Sequence, residues 1–165
     1  MPNLHIRPIA PAEIAQAKRL ILSVARGIFQ WPETPAETFR RFDENGELQD
    51  VDEALTHYAP PAGIFLVAVA EGQLIGTGAV RPLTPFVCEL KRLWLLETYQ
   101  GQGIGFQLMQ ALFAFARGAG YTTMRLMTET RQTRAISFYQ RLGFQPIAPY
   151  HDDTDEEDVF MEFRL

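Results

Sequence analysis

The stretch "WLLETYQGQGIGFQLMQALFAFA" (residues 94–116) sets three glycines, Gly101, Gly103 and Gly105, between two apolar runs. A glycine inside an element costs about 0.5–1 kcal/mol relative to alanine. Several of them at one junction indicate that backbone must come close to something. Upstream, "FVCELKRLWLL" (residues 86–96) reads as a strand; downstream, Leu108, Met109, Leu112, Phe115 and Ala116 form an apolar helical face beginning at Ile104. The glycines therefore lie where a strand turns into a helix. A helix N-terminus offers up to four amides without intrahelical partners and a partial positive charge. Glycines before it let an anion reach those amides, since no Cβ stands in the way. The junction predicts a phosphate or pyrophosphate site, against the plainer reading of a strand-to-helix turn with no ligand. The loop carries no lysine or arginine, so binding would rest on amides, with Gln100 and Gln102 as additional donors.

Two phosphate-binding patterns fit poorly. No Gly-Lys-Ser/Thr follows the glycines, so a Walker loop is absent. A dinucleotide fingerprint needs a third small residue where Phe106 stands, although Glu129 at the end of a later strand is placed to act as its ribose-binding acid.

Working outward, "LHIRPIA" (residues 4–10) alternates as a short strand, and Pro11 opens a helix whose Ile14, Ala17, Leu20, Ile21, Val24 and Ile28 keep helical spacing. Residues 30–50 are polar and broken by two prolines, which predicts a loop with a short helix near residues 37–42. Another short helix is expected in "VDEALTHYAPPAG", ended by Pro60 and Pro61. Residues 64–70 and 73–80 read as a hairpin joined at Glu71 and Gly72. After the glycine-led helix come a strand ("TTMRLMTET"), a helix ("RAISFYQRLGF") and a closing strand ("DVFMEFRL"). The sum is α/β (α+β): a mostly antiparallel mixed sheet with one strand–helix–strand crossover starting at the glycines.

With 165 residues, one domain spanning residues 1–165 with a real core is expected. Composition is that of a globular chain, 47% hydrophobic and 21% charged. A formal charge of −5 argues against a general nucleic-acid partner but leaves a cationic small substrate open. The single cysteine, Cys88, allows no intramolecular disulfide and no cysteine metal spacing; in its apolar segment it reads as a buried thiol. His5, His57 and His151 are scattered without metal spacing, so no metal is expected. No apolar run approaches a membrane span and "MPNLHIRPIA" lacks a signal-peptide core. No membrane partner is expected, and a cytoplasmic location is the default.

Together, "ETYQGQGIGFQLM" and "TRQTRAISFYQRLGFQPI" resemble the GNAT superfamily of acyl-CoA-dependent N-acetyltransferases. The first resembles its motif A, Gln/Arg-x-x-Gly-x-Gly/Ala, with Gln100, Gly103 and Gly105 in the three places. The second resembles the CoA-facing segment that ends in Tyr-x-x-x-Gly-Phe. The resemblance is close over residues 89–147; the N-terminal half matches in element order alone. It implies a GNAT fold, with about six to seven strands flanked by about four helices, acetyl-CoA as cosubstrate, and frequent homodimers.

The resemblance also implies roles. Leu93 and Leu95 would lie beside the pantetheine through main-chain groups. The amides of Gln100, Gly101, Gln102, Gly103, Ile104 and Gly105 would hold the pyrophosphate, with Ile104 packing behind. Gln132 stands where many members have asparagine, a departure that weakens its expected CoA contact. Tyr139 matches the tyrosine that often protonates the departing CoA thiolate; a free phenol titrates near ~10 and a free thiol near ~8.5, so the phenol holds a proton to give. Alternatively, Tyr139 and Phe138 are core aromatics of a helix.

An alkyl amine, with a pKa near ~10.4, must lose a proton to attack. Glu89 is the best candidate base in the sequence, because it interrupts an apolar strand near the expected acetyl position; pairing with Arg92 or Arg125 is the alternative. The acidic run "HDDTDEED" (residues 151–158) is a solvated loop, or borders the acceptor site and favours a cationic amine. Residues 29–50, with Trp31, are either the seat of acceptor specificity or a cover on the core. The expected reaction is direct attack of a small-molecule or peptide amine on the thioester. A non-catalytic CoA-binding or sensor module and a dinucleotide-binding oxidoreductase are the other readings.

Overall fold

The computed structural model describes residues 3–165. Seven strands form one sheet: β1 (Leu4–Pro8), β2 (Ile64–Ala70), β3 (Gln73–Pro82), β4 (Val87–Leu95), β5 (Thr123–Glu129), β6 (Gln145–Pro146) and β7 (Asp158–Arg164), in the order β1-β2-β3-β4-β5-β7-β6. Every neighbouring pair is antiparallel except β4–β5, which is parallel. The mixed, mostly antiparallel sheet agrees with the expected fold class. The short β6 was not foreseen, because two residues show no alternation.

Six α-helical segments accompany the sheet: α1 (Ile14–Phe29), α2 (Pro35–Asn45), α3 (Gln49–Asp52), α4 (Ala54–His57), α5 (Ile104–Gly118) and α6 (Thr133–Leu142). Four of them exceed a single turn, which accounts for the expected number. The helix that follows the two prolines, α2, is longer than the sequence suggested. Thr34 accepts from the Glu37 amide at 3.2 Å while Glu37 accepts from the Thr34 amide at 2.8 Å. This capping box, with Pro35 in the first turn, starts α2 early. The β2–β3 hairpin turns where expected: Glu71 and Gly72 both have positive φ, 51° and 76°, as a two-residue type I′ turn requires.

The sheet separates two cores. On one face α5 lays Leu108, Met109, Leu112, Phe113 and Ala116 against Cys88, Leu90, Met124 and Leu126. On the other, Ala17, Leu20 and Ile21 of α1 pack with Phe42, Val51, Tyr58, Phe65 and Val67. Alternation along strands delivers both sets, because successive side chains point to opposite faces. Gly78 of β3 lets α5 approach closely: a Cβ there would stand 2.8 Å from Leu112 Cδ1.

Two features of β4 build the site. First, its parallel ladder with β5 covers Val87↔Thr123, Cys88↔Met124 and Glu89↔Arg125 and then stops. The strands diverge beyond Glu89 and leave a wedge. Second, β4 carries a bulge: β3 pairs Thr77 with Trp94 and Ala79 with Lys91, so Gly78 faces both Arg92 and Leu93. Arg92 takes φ of 55° there. The Thr77 hydroxyl donates to its carbonyl at 2.7 Å.

Candidate functional site

A cleft of about 770 Å³ opens between the ends of β4, α5 and α6. Its walls include Leu93, Leu95, Gln100, Gly101, Gly103 and Gly105, with Gln132, Phe138 and Tyr139 opposite. A smaller cavity of about 160 Å³ fills the wedge between β4 and β5, and Gln132 and Tyr139 line it as well. Tyr139 thus stands where the two spaces meet.

The glycine loop has the electrostatics expected of an anion cradle. The Gln100 amide donates to the Glu97 carbonyl, and helical bonding resumes at Gln107, whose amide donates to Gly103 at 3.1 Å. Among the described residues, the six amides of residues 101–106 find no acceptor. Gly101 and Gly103 hold φ of 77° and 81°, a region costly for residues with a Cβ. Gly105 lies within the first turn of α5 and lines the cleft. Ile104 is buried and packs behind the loop against Ala68, Ala70 and Ile75.

The glutamines behave differently from expectation. Gln100 Nε2 donates to the Leu95 carbonyl at 2.9 Å, and Gln102 Nε2 to the Thr98 carbonyl at 3.0 Å. Their side-chain amides brace the loop rather than reaching into the cleft, and Gln102 does not line it. The loop borrows cations from elsewhere instead. Arg131, Arg134 and Arg141 of the α6 region line the same cleft, and a Cβ on Gly101 would sit 3.7 Å from Arg134 Nη2. Sequence reading missed these arginines because they lie some thirty positions on; the run "TRQTRAISFYQR" was their only signal.

Tyr139 is 6% exposed. Its hydroxyl makes no hydrogen bond among the described residues, nor is it sealed from the cleft. Burial raises its pKa above that of a free phenol. Cys88 is fully buried, and burial pushes its thiol up to about 12. It lines neither space, in keeping with a thiol that takes no chemical part.

Glu89 is 1% exposed and lines neither space. Burial works to raise its pKa. The Tyr150 hydrogen bond, the Lys91 charge and the Arg81 guanidinium outweigh that and hold it below the ordinary carboxyl value. Its carboxylate accepts from Arg81 Nε at 2.7 Å and from the Tyr150 hydroxyl at 2.7 Å, with His151 Nε2 at 3.1 Å. The expected partners Arg92 and Arg125 are engaged elsewhere, with Asp50 and Glu162. Glu89 therefore anchors the loop that begins the acidic run, and His151 is drawn into the sheet face rather than left in solvent. Trp31 stacks on Phe29 and Phe42, centroids 5.6 and 5.0 Å away, and lines neither space; it covers the core. No metal-like group of His, Cys, Asp or Glu occurs among the described residues. No helix among them is long and apolar enough to cross a membrane.

Comparison with known proteins decides what this arrangement is. The model of the Acetyltransferase (GNAT) family matches residues 25–144. The chain belongs to this family. An uncharacterised N-acetyltransferase of Schizosaccharomyces pombe is 31% identical over 135 residues, covering 78% of this chain and 83% of that protein. Among solved structures, an acetyltransferase from Streptococcus agalactiae matches with a TM-score of 0.83, at 20% identity and over all of both chains. PaiA N-acetyltransferase from Thermoplasma acidophilum, solved in complex with coenzyme A, matches with a TM-score of 0.78 at 20% identity over 99% of each chain. The GNAT fold and an acyltransferase class of enzyme are thereby shown for this chain, and the dinucleotide-binding reading falls away.

Proposed function

We propose that a single domain of residues 1–165 transfers the acetyl group of acetyl-CoA to a primary amine by direct attack on the thioester. The observation that carries this reading is the row of six unpaired amides at residues 101–106, opening onto a cleft that runs to the free hydroxyl of Tyr139. Backbone amides at a helix N-terminus suit a pyrophosphate, and the Arg131, Arg134 and Arg141 guanidiniums suit the remaining phosphate charge. PaiA, a neighbour of the same fold, was solved with coenzyme A, which supports a CoA-binding reading.

In this reading Gly101, Gly103 and Gly105, with the amides between them, take the pyrophosphate. Gln100 shapes the loop, and Gln132 lies at the turn into α6 where the pantetheine passes. Main-chain groups of Leu93 and Leu95 line its path. Because β4 leaves β5 at Glu89, the amides beyond that point are free to polarise the thioester carbonyl, a form of oxyanion stabilisation. The amine nitrogen attacks the carbonyl carbon, the new N–C bond forms, and the C–S bond breaks with its electrons on sulfur. Tyr139 donates its hydroxyl hydrogen to the departing thiolate. Burial makes the phenol a weaker acid than the thiol, so Tyr139 stabilises the departing thiolate by hydrogen bonding, and a proton that crosses to sulfur is replaced from solvent through the cleft.

Glu89 is the base of this reading: it takes the proton lost by the amine by way of the Tyr150 hydroxyl and passes it through half-buried His151 to solvent. The carboxyl itself is held too low in pKa to retain a proton well. The setting proposed for the enzyme is cytoplasmic.

Calorimetric titration with acetyl-CoA, beside a free-thiol assay over an amine panel, tests the reading. Saturable binding and amine-dependent thiol release are expected. Binding without release for any amine would favour a non-catalytic CoA-binding module. Absence of binding would overturn the cleft assignment.

A further inference from the structure

The sheet face opposite α5 carries a cluster of charges of which the acetyl-transfer chemistry uses Glu89 alone. Asp50, Arg81, Glu89, Lys91 and Arg92 gather there, and Lys91 feels the charges of the other four. Glu89 is bonded to Arg81 at 2.7 Å. Asp50 is bonded to Arg92 at 2.7 Å. Each carboxylate is thus matched to one guanidinium, which leaves the Lys91 ammonium as the surplus charge. Lys91 is half-buried and forms no hydrogen bond or ion pair among the described residues. Its pKa is lowered, chiefly by burial.

Lys91 also lines the 160 Å³ wedge, together with Leu90, Leu93, Thr128, Glu129 and Tyr139. Glu129 lines the same wedge but makes no ion pair or hydrogen bond with Lys91 among the described residues. Glu89 and Asp50 act on Lys91 only from a distance, and a half-buried ammonium with no hydrogen-bond partner gains from an acceptor that arrives beside it. The space beside it leads to the tyrosine at the junction of the two cavities. One surplus positive charge calls for a monoanion, and the small wedge calls for a compact one, so a carboxylate fits better than a doubly charged phosphate.

Resting on the acetyl-transfer reading, we propose that Lys91 anchors a carboxylate of the acceptor, so that the enzyme acetylates amines of the amino-acid class. Binding the carboxylate at Lys91 holds the acceptor amine in the wedge, on the side of β4 away from the pyrophosphate loop. The acidic run at residues 151–158 then lies beyond the anchor, with Asp152, Asp153, Asp155, Glu156 and Glu157 exposed to solvent. It does not select a purely cationic amine.

The test measures thiol release with acetyl-CoA for L-α-amino acids and for ω-amino acids from glycine to 6-aminohexanoate, each beside its carboxamide. At least one acid should exceed its carboxamide in kcat/KM by about tenfold or more, the order expected for a charged hydrogen bond. In Lys91→Met that ratio should collapse toward one, through KM, and Lys91→Arg should recover part of it. Calorimetry with acetyl-CoA on each variant confirms an intact cofactor cleft. Carboxamides serving as well as acids would overturn the anchor, as would a ratio that survives Lys91→Met. So would acetyl-CoA binding without acetylation of any acid in the series. Failure to bind acetyl-CoA at all would instead bring down the acetyl-transfer reading beneath it.

Discussion

Asp50 accepts two hydrogen bonds from Arg92, 2.9 Å from Nε and 2.7 Å from Nη2, across 42 positions of chain. The pair ties the α3 turn to the bulge of β4, where Arg92 adopts a left-handed conformation. Tyr58 adds a third bond to the same carboxylate at 2.5 Å. The bulge redirects β4 toward the cleft, so this contact helps set the strand that lines the reaction space.

Asp50→Ala should therefore destabilise the fold by about 2–4 kcal/mol, because it leaves a largely buried guanidinium and a buried phenol unpaired. Denaturant titration measures the effect. A loss below half a kcal/mol would mean that the bulge holds its shape without the pair.

Acid should weaken the fold with a definite sign. Burial works to raise the pKa of both Asp50 and Glu89. Arg92 and Tyr58 at Asp50, and Tyr150, Lys91 and Arg81 at Glu89, leave both below their ordinary values. The unfolded chain then takes up protons first, so the stabilisation is complete above about pH 5 and is lost as pH falls through about 4 and below. Urea midpoints between pH 7 and pH 3 should drop, and the combined Asp50→Asn and Glu89→Gln variant should show a shallower decline. Equal slopes in the two proteins would remove these carboxylates from the acid response.

Tyr139→Phe should lower turnover by about a hundredfold, the lower range for a positioned proton donor. Acetyl-CoA affinity should stay within about twofold. Stability should change by less than ~1 kcal/mol, since the hydroxyl has no protein partner to orphan. Turnover equal to wild type would take Tyr139 out of the chemistry and leave it a core aromatic.

Gly105→Ala separates folding from binding. Residue 105 lies in the first turn of α5, and an added Cβ meets only the Phe138 ring, at 3.6 Å. Helix propensity favours alanine by up to ~1 kcal/mol, so the melting temperature should hold or rise. Acetyl-CoA affinity should nevertheless fall about fivefold, roughly the worth of one backbone hydrogen bond, because the methyl group projects near the anion. Unchanged affinity in calorimetry would mean that ligand does not approach this glycine.

Much of the cleft was legible in residues 94–116 alone. The helical spacing after Ile104, the strand before it and the glycines between are local signals, and they suffice to place unpaired amides at a helix start. Ile104 packs behind the loop as its apolar character required. The same local signals misled at Gln100 and Gln102: both carry donors, but backbone carbonyls four or five residues back compete for them and win. Trp31 shows a similar limit, since an aromatic in a polar stretch suits a ligand pocket as well as a lid, and only its stacking on Phe29 and Phe42 decides.

The sequence by itself determined the order of the elements, the anion-binding turn and the separation of the two apolar faces, because each depends on neighbours within one or two turns of chain. Tertiary structure alone decided which charges meet. Arg81, Glu89, Tyr150 and His151 converge from three places in the chain, and Asp50 and Arg92 from two. Pairing one strand with the next brings such groups within a few ångströms. Only then do their mutual attraction and desolvation choose partners, and only then does Lys91 emerge as the charge left over.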